Sequence, residues 1–398
     1  MTDTRALARS IFDAGVAAAD PAAAVARHIG DVTPPTQIIA VGKAAVQMAG
    51  AALQAFPGVP TRVVTNYENA VDLVGATVMA AGHPVPDANG AAAAQAVLND
   101  LAAVDGPVLA LISGGGSALL PAPVTRITLE EKAALNSLLL GAGLDITQMN
   151  LVRQQVSRVK GGGLLRAAAP HPVTALILSD VVGDDLSTIA SGPTAHPIGT
   201  ASEAVATLKD AGIWDQVAPS IQTHLSTVTV AEDLPDHRNI LIGSNAQSVA
   251  AMAALAPDAS VLDPVEGDVA EAAKVICDQA ESGVTLWGGE TTVQLKGNGR
   301  GGRNQELALR IALEARARGW GQWTCLQGGS DGRDGPTDAA GGLVDQETLS
   351  RIAAAGADCN ALLANNDSYA ALQIAGDLLM TEATGTNVAD LGVLIREG

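Results

Sequence analysis

A lysine and a run of glycines each occur at a point in the sequence where an oxyanion could bind. Lys43 follows the apolar run 37–41 and precedes an Ala-rich segment, so we expect it at the start of a helix. Free backbone N–H groups and the helix dipole favour an anion there, and the lysine adds a full positive charge. A surface lysine in the first helical turn is the simpler alternative. The GxxxxGK(S/T) pattern of a Walker A loop is absent.

The segment SGGGS at 113–117 directly follows the apolar run 108–112. Three consecutive glycines allow successive backbone N–H groups to converge on one oxyanion, and the flanking serines add hydroxyl donors. A flexible surface loop is the alternative, but the position of the segment between two apolar runs favours an anion site. The predicted phosphate- or carboxylate-binding residues of this segment are Ser113, Gly114, Gly115, Gly116 and Ser117.

A further glycine-containing segment, at 150–164, carries cations. Arg153, Ser157 and Lys160 are three or four residues apart, so on a continuous helix they would share one face. A solvated basic face is the alternative. Because the chain has only 23 lysines and arginines, this concentration favours an anion site, with Asn150, Arg153 and Lys160 as its candidate residues.

Three aspartates, Asp180, Asp184 and Asp185, follow the apolar run 173–178. Carboxylates at strand ends suit Mg²⁺, which proteins bind through one or two carboxylates together with substrate phosphates. They could also orient an attacking hydroxyl. We therefore predict Asp180 as a catalytic residue, and Asp180 and Asp184 as metal ligands. Helix capping by Asp184 or Asp185 is the structural alternative.

The segment 288–309 contains the densest mixture of charges and glycines, with a formal GxGxxG at Gly297, Gly299 and Gly302. A dinucleotide fingerprint would place an acidic residue at the end of the next strand, about 20 residues further on. The first acid beyond the next apolar run is well past that spacing, and cations crowd the motif, so we interpret it as a phosphate or carboxylate site. The predicted residues here and in the following segment 328–342 are Arg303 at a helix start, Glu290, Asn304 and Asp331.

Two shorter motifs have mainly structural interpretations. NNDSY at 365–369 is typical of a helix cap provided by Asp367 or Ser368. GHPVPD at 82–87 is typical of a rigid proline turn, and an acid–base role for His83 is the less favoured alternative.

Short apolar runs that end in polar or glycine-rich segments, often followed by Ala-rich helical segments, recur along the whole chain. The runs are 37–41, 108–112, 173–178, 239–242, 284–287 and 324–327. This alternation predicts an α/β fold with two domains and largely parallel sheets, in which ligands bind beyond the carboxyl ends of the strands. The polar, mixed region 200–238 marks the domain boundary, so we expect domains at 1–235 and 236–398.

The composition limits the classes of function. The chain has 398 residues, 47% of them hydrophobic, and a formal net charge of −19. Such a charge repels a phosphate backbone, so a nucleic-acid partner is not expected, whereas a few local cations can still bind a small anion. The apolar runs are too short to span a bilayer, and no signal sequence is evident. Three widely spaced cysteines suit a reducing cytoplasm, where we expect a soluble protein.

Taken together and in this order, these segments resemble the type II glycerate 2-kinase family, whose members combine an N-terminal Rossmann-like domain with a C-terminal MOFRL domain. The resemblance covers nearly the whole chain. It rests on VGKAA at 41–45, GHPVPD, ISGGGSALLPAP at 112–123, the segment 150–163, LSDVVGDD with ASGPT, GGETTV, GRGGRNQE at 299–306, GSDGRDGPTDAAGG, NNDSY and TGTNVADL at 384–391. Arg333 departs from the family pattern, in which many relatives have an apolar residue there.

The resemblance implies ATP- and Mg²⁺-dependent phosphorylation of D-glycerate at its 2-hydroxyl, in a cleft between two α/β domains. It also implies central roles for Lys43 and Arg303. ATP and D-glycerate would be the partners, without nucleic acid or membrane, and a homodimer is left open. Two rival functions remain: an NAD(P)H-dependent hydroxypyruvate reductase, a label that this family has also carried, and a non-catalytic binder of small phosphorylated acids.

Overall fold

The computed structural model describes residues 3–228 and 233–397, which form two compact units. The first unit is Pro21–Ile242, and the second combines the chain up to Asp20 with the chain from Gly243 onward. This division lies close to the expected boundary at 235/236. The N-terminal helix α1 (Thr4–Ala18), however, belongs to the unit that follows the boundary.

The first unit contains an open six-stranded sheet. Its strands are β1 (Gln37–Val41), β2 (Thr61–Asn66), β3 (Thr77–Ala81), β4 (Val108–Ile112), β5 (Val173–Leu178) and β6 (His237–Gly243). The order across the sheet is β3-β2-β1-β4-β5-β6, and the pairings among β1 to β5 are parallel. The strand order reverses between β1 and β4, and ligands of open α/β sheets bind beyond the carboxyl ends of the strands at such a switch point.

Helices pack around this sheet. They are α2 (Pro21–His28), α3 (Ala45–Ala55), α4 (Ala88–Ala103), α5 (Gly116–Leu119), α6 (Leu129–Gly141), α7 (Ile146–Gln155), α8 (Gly163–Ala168), α9 (Ala201–Asp210) and α10 (Pro219–Thr227). Aliphatic side chains of β1, β4 and β5 pack with those of α4 and α8, which explains why these strands are continuously apolar. A separate apolar cluster joins α6, α7, α9 and α10 and fixes the positions of the polar side chains on α6 and α7.

The second unit contains a seven-stranded sheet. Its strands are β7 (Ser260–Val261), β8 (Val265–Asp268), β9 (Gly283–Thr292), β10 (Trp323–Gly329), β11 (Gly341–Asp345), β12 (Leu378–Leu379) and β13 (Asp390–Arg396). The order is β12-β11-β10-β13-β9-β7, with β8 also paired to β9. In the order β11-β10-β13-β9 each strand is antiparallel to its neighbours, whereas β7 and β8 run parallel to β9.

The α/β class is therefore confirmed, and the prediction of largely parallel sheets holds for the first sheet but not for the second. The connection from β10 to β11 shows why, because it is the short segment 330–340 and contains no helix. A parallel neighbour needs a crossover of about a dozen residues or more, usually helical, whereas antiparallel strands can be joined by a short connection.

Helices cover both faces of the second sheet. Besides α1 they are α11 (Asn245–Leu255), α12 (Val269–Gln279), α13 (Arg303–Ala317), α14 (Thr348–Ala354), α15 (Cys359–Ala364) and α16 (Ser368–Ala375). On β13, Leu391 and Val393 pack with Phe12 of α1, whereas Leu394 belongs to the cluster that contains α12 and α13. In the parts of the chain that the structure describes, no helix combines the length and apolar character needed to span a bilayer.

Candidate active site

The loops that follow β1 and β4 are joined by hydrogen bonds at the switch point of the first sheet. The Lys43 N–H donates to the Gly114 carbonyl at 2.9 Å, and the Ala44 N–H donates to Ser113 Oγ at 3.1 Å. Gly42 has a φ of 126°, and a Cβ there would collide with Ser113, so only glycine suits this close approach. The predicted residue Ser113 is buried, and its hydroxyl holds the Lys43 loop in place.

Lys43 and His83 both lie against Gly115. Gly115 has a φ of 85°, and a Cβ at this position would be 3.2 Å from Lys43 Cγ and 3.1 Å from His83 Cδ2. Burial and the nearby Lys43 ammonium lower the pKa of His83, so its imidazole is neutral at pH 7. The proline turn at 82–87 therefore places a neutral imidazole beside the predicted catalytic lysine, which gives the less favoured alternative for His83 a structural basis.

Asp180 lies against the preceding glycine of the same turn. A Cβ at Gly114 would collide with the Asp180 carboxylate, which follows β5. Two adjacent glycines thus have a cation against one of them and a carboxylate against the other. Gly116 and Ser117 then begin the short helix α5, where first-turn N–H groups have no partner within the helix. The sequence prediction grouped these residues correctly in space; their catalytic and binding roles remain predictions.

Replacing Gly114 by alanine tests this packing. For the phosphoryl transfer that the family resemblance implies, we expect Gly114→Ala to lower kcat by roughly 10²-fold, because the new methyl group would displace the Asp180 carboxylate from its position. Gly30→Ala is the matched control in the same unit, since a Cβ at Gly30 meets nothing within 4 Å. Steady-state kinetics of both variants provide the measurement. An unchanged kcat for Gly114→Ala would show that the position of Asp180 against this glycine is unimportant.

The three aspartates after β5 have different environments. Asp185 accepts hydrogen bonds from the Ser187 N–H and hydroxyl and from the Thr188 hydroxyl, so it is the aspartate that stabilises the local turn. Asp184 has a φ of 56°, and its Oδ1 is buried without a hydrogen-bond partner in the described part of the chain. An orphaned carboxylate oxygen in the loop that also carries Asp180 fits a metal ligand. The described residues contain no cluster of three or more His, Cys, Asp or Glu side chains that could hold a metal ion.

The prediction that Arg153, Ser157 and Lys160 share one helix face is wrong. Helix α7 ends at Gln155, and Ser157 forms an isolated bridge with Pro123, after which the chain turns through three glycines. Lys160 and Asn150 nevertheless belong to one hydrogen-bonded group. Lys160 Nζ donates to Ser117 Oγ at 2.5 Å and to Ser191 Oγ at 3.4 Å, and the Ser191 hydroxyl donates to Asn150 Oδ1 at 3.2 Å.

Arg153 lies on α7 and bonds to a residue of the neighbouring helix. Its Nε donates to Asn136 Oδ1 on α6 at 2.8 Å. Burial lowers the pKa of Arg153. Neither Asn136 nor Ser191 was among the residues predicted from the sequence. Asn136 is an isolated polar residue in a helical segment without a distinctive motif, whereas Ser191 lies in the ASGPT segment, from which no site residue was selected.

Arg303 begins α13, as predicted, and is held by two carboxylates of the second unit. Its Nε and Nη2 donate to Asp390 at 2.6 and 3.1 Å, and Nη1 donates to Glu290 Oε1 at 2.6 Å. Asp390 is buried at the start of β13, and this burial raises its pKa. Glu290 is more exposed than Asp390, so the Nη1 edge of the guanidinium is the edge accessible to a ligand.

Asn304 lies in a buried polar network rather than on the surface. Its amide donates to Asp390 Oδ1 at 2.9 Å and accepts a hydrogen bond from Gln327 at 2.6 Å. Asp334 caps α13 by accepting from the backbone N–H groups of Asn304 and Gln305, and its burial raises the pKa to about 6. Asn304 therefore positions the start of α13. Its amide group bonds to protein partners, and its role in binding a ligand stays a prediction.

The Asp331 carboxylate forms a hydrogen bond within its own loop. Its Oδ1 accepts a hydrogen bond from the Arg333 N–H at 3.0 Å, within the loop between β10 and β11. Arg333, the departure from the family pattern, is exposed. A direct contact of Asp331 with a ligand remains a prediction.

The glycines of the formal GxGxxG are packed against protein atoms. A Cβ at Gly297 or Gly299 would collide with the backbone of Asn365, and one at Gly302 would collide with the Asp334 carboxylate. Asn366 accepts hydrogen bonds from the N–H groups of Lys296 and Gly297, so NNDSY holds this loop. Asp367 occupies the N-cap position of α16, but its side chain accepts from the Arg300 N–H rather than from the first turn of the helix, so the predicted side-chain cap is wrong. These glycines thus serve local packing, and the preceding strand β9 has the antiparallel neighbour β13. Both features differ from a dinucleotide-binding βαβ unit.

Removing the charge of Arg303 should destabilise the second unit. We expect Arg303→Met to lower the free energy of unfolding by about 3–5 kcal/mol, because Asp390 would be left as a buried, unpaired carboxylate. Urea unfolding followed by tryptophan fluorescence provides the measurement. Arg300→Met is the control, since its ion pair with Asp338 is exposed and should contribute less than about 1 kcal/mol. Equal effects of the two substitutions would contradict this interpretation.

The first unit has the strand order of a Rossmann fold, and comparisons with known proteins identify its family. A family model described as "Domain of unknown function (DUF4147)" matches residues 7–226, and the MOFRL family model matches residues 283–390. The D-glycerate 2-kinase of Thermotoga maritima is 39% identical over 89% of each chain. A protein of Agrobacterium vitis with the provisional name hydroxypyruvate reductase is 39% identical over 98% of this chain and 94% of its own.

The similarity extends to a solved structure. The crystal structure of glycerate kinase from Thermotoga maritima matches with a TM-score of 0.92 and 36% sequence identity, and the match covers 100% of both chains. The chain therefore belongs to the glycerate kinase family whose members combine these two domains.

Proposed function

We propose that the protein is a D-glycerate 2-kinase, which transfers the γ-phosphoryl group of ATP to the 2-hydroxyl of D-glycerate. The family relationship, including the D-glycerate 2-kinase at 39% identity, supports this substrate and reaction. The structural observation that carries the proposal is the turn Gly114–Gly115 at the switch point. Lys43 lies against one of its glycines and Asp180 against the other.

In the proposed reaction these two side chains have complementary roles. Asp180 orients the 2-hydroxyl and accepts its proton while the hydroxyl oxygen attacks the γ-phosphorus and the bond to the ADP oxygen breaks. Lys43 stabilises the negative charge that the phosphoryl oxygens carry in the transition state. Because phosphoryl transfer depends mainly on positioning and charge neutralisation, a cation and a carboxylate fixed by one glycine turn suffice for the core of the chemistry.

Mg²⁺ is proposed as the metal cofactor, with Asp180 and Asp184 as its protein ligands. The unpartnered, buried Oδ1 of Asp184 supports this assignment. When bound, Mg²⁺ would neutralise part of the negative charge of the nucleotide phosphates. One or two carboxylates are enough for such an ion, because substrate phosphates and water complete its coordination.

Arg303 is proposed as a second catalytic cation. Asp390 holds two of its nitrogens in a fixed orientation, while the partly exposed Glu290 occupies Nη1. A substrate carboxylate or phosphoryl group could displace Glu290 from Nη1 without breaking the buried pair. Glu290 would then act as an exchangeable partner that keeps the guanidinium in position between turnovers.

The rival functions have less support. The reductase name of one relative would require a dinucleotide site, but the glycines of the formal fingerprint are packed against protein atoms. A non-catalytic binder of phosphorylated acids would have no use for a carboxylate placed against the same glycine turn as Lys43.

We also propose a cytoplasmic location, supported by three buried free cysteines. Small-molecule partners rather than nucleic acid are supported by the net charge of −19. A homodimer stays a prediction.

The proposal is tested by measuring ADP formation with the purified protein, ATP and Mg²⁺. We expect ADP to form with D-glycerate and to form far more slowly with L-glycerate, which presents the 2-hydroxyl in the opposite configuration. A parallel reaction with hydroxypyruvate and NADH should show no loss of NADH absorbance. Rapid NADH oxidation without ADP formation would establish the reductase, and the absence of both reactions would favour the non-catalytic binder.

A further inference from the structure

Two of the cations predicted for an anion site, Arg153 and Lys160, share their part of the first unit with a third cation that the sequence analysis did not select. The three cations are Lys132 on α6, Arg153 on α7 and Lys160 in the turn before α8. Lys132 and Lys160 are 7% and 4% exposed, and Arg153 is half-buried. Arg153 bonds to Asn136, one turn along α6 from Lys132. Lys160 is linked through Ser191 to Asn150, one turn along α7 from Arg153. Burial, together with the charges of Lys132 and Arg153, lowers the pKa of Lys160.

The positive charge of this group is not neutralised by protein carboxylates. Among the residues that the structure describes, no carboxylate forms an ion pair with Lys132, Arg153 or Lys160. Lys132 Nζ is buried and has no hydrogen-bond partner within residues 3–228 and 233–397. Burial and Arg153 lower the pKa of Lys132 to about 8. Buried, unpaired cations are costly, so a protein that keeps them needs a compensating anion.

Neutral hydrogen-bonding groups surround these cations. Lys160 donates to the hydroxyls of Ser117 and Ser191, and Ser191 in turn contacts Asn150. Ser191 has a φ of 62°, a conformation that costs a non-glycine residue free energy and fixes its hydroxyl beside Lys160. Cations combined with hydroxyl and amide groups are the chemistry with which proteins bind phosphate oxygens.

We propose that Lys132, Arg153 and Lys160, together with the hydroxyls of Ser117 and Ser191, form a binding site for a phosphate group. With both lysines protonated in the complex, a phosphate dianion can neutralise two of the three charges, whereas a single carboxylate would leave two unpaired. Ser117 belongs to the segment 113–117, which also contains Gly114 and Gly115. Lys43 and Asp180 lie against these two glycines, so a phosphate bound to Ser117 would contact the same segment as Lys43 and Asp180 do. The phosphate could belong to ATP or to the phosphorylated product, and this part of the inference rests on the proposed kinase function.

Calorimetric titration with inorganic phosphate tests the site without assuming any activity. We expect Lys132→Met and Lys160→Met each to weaken phosphate binding about tenfold or more, because each removes a charged partner of the anion. Lys209→Met is the matched control, since Lys209 is an exposed lysine of the same unit. We expect this variant to bind phosphate with the affinity of the unsubstituted protein. Phosphate affinity that is absent in the unsubstituted protein, or unchanged in Lys132→Met, would overturn the proposal.

Thermal unfolding separates a ligand role of Lys132 from a structural one. Without phosphate, Lys132→Met should have an equal or higher Tm than the unsubstituted protein, because methionine removes a buried charge without a partner. Added phosphate should raise the Tm of the unsubstituted protein and of Lys209→Met, but not that of Lys132→Met. A lower Tm for Lys132→Met without phosphate, with its phosphate response retained, would show that the lysine supports the fold.

Steady-state kinetics and product titration identify the source of the phosphate group. If the group belongs to ATP, Lys132→Met should raise the KM for ATP about tenfold or more and leave the KM for D-glycerate within about twofold. If it belongs to the product, the variant should instead lose affinity for 2-phosphoglycerate in calorimetry. A rise confined to the KM for D-glycerate would assign the site to the carboxylate and overturn the proposal. Should the protein lack kinase activity, the titration with inorganic phosphate still decides whether the site exists.

Discussion

Lys43→Met should lower kcat by about 10³-fold or more while the protein keeps its fold. A cation that stabilises the transferring phosphoryl group contributes roughly this much in other phosphotransferases, because the charge on the phosphoryl oxygens is largest in the transition state. Methionine retains most of the aliphatic stem that packs against Gly115 and removes the ammonium group. The backbone N–H of residue 43 would still donate to Gly114, so the loop structure should persist.

Turnover of ATP with D-glycerate, together with circular dichroism and Tm, provides the measurement for this variant. Lys209→Met serves again as the control for loss of a lysine from the same unit, and we expect its kcat to stay within about twofold. A kcat for Lys43→Met within about threefold of the unsubstituted enzyme, with an intact fold, would remove Lys43 from the mechanism.

Asp180→Asn should lower kcat by about 10²–10⁴-fold, the range expected when a general base is removed. Asparagine has nearly the same shape, so the packing against Gly114 should be preserved and the loss should come from the missing negative charge. The loss should appear in kcat with D-glycerate at saturating ATP. If Asp180 also binds Mg²⁺, the variant should in addition need a higher Mg²⁺ concentration for half-maximal activity.

Asp185→Asn is the matched control, because Asp185 is on the same loop and bonds to Ser187 and Thr188. We expect this variant to lose some stability and to keep kcat within a few-fold. Near-normal turnover of Asp180→Asn would contradict the assignment of the base. His83 would then be the candidate general base, because its neutral imidazole lies against the same glycine turn as Lys43.

The first sheet and the residues at its switch point were predictable from the sequence because they depend on local patterns. The apolar runs 37–41, 108–112 and 173–178 coincide with β1, β4 and β5. Parallel strands place their carboxyl ends at one edge of the sheet, so Lys43, SGGGS and Asp180 had to converge once these runs were recognised as parallel strands. The glycines between them reinforce the prediction, since each permits a close approach that a side chain would block.

The partners of Arg303 and the second sheet were harder to predict, because they depend on contacts between distant parts of the chain. Asp390 is 87 positions from Arg303, and although it lies in the segment TGTNVADL at 384–391, nothing in the sequence links that segment to Arg303. The start of α13 is organised by Asp334 and Asn304 through further long-range contacts. The strand directions of the second sheet follow from its connections, which the apolar runs alone do not reveal.

The cationic group around Lys132 illustrates a different difficulty. In the sequence, Lys132 follows two glutamates in a helical segment, which is typical of a solvated helix face. Glu130 is exposed and Glu131 is half-buried in the structure, whereas Lys132 is buried and its ammonium has no hydrogen-bond partner among the described residues. Helical periodicity carries this information in part, since Leu135 and Leu139 lie on the buried side of α6 at spacings of three and seven residues from Lys132. The position of Lys132 on the same helix face as these leucines was therefore the sequence signal that could have predicted its burial.

The phosphorus NMR spectrum of the product formed from D-glycerate, ATP and Mg²⁺ is the most direct test of the proposed reaction. The expected product is 2-phosphoglycerate, whose phosphorus couples to the single proton on C2, together with the two resonances of ADP. Formation of 3-phosphoglycerate, whose phosphorus couples to two protons on C3, would contradict transfer to the 2-hydroxyl. A spectrum that retains only ATP would contradict the kinase function itself.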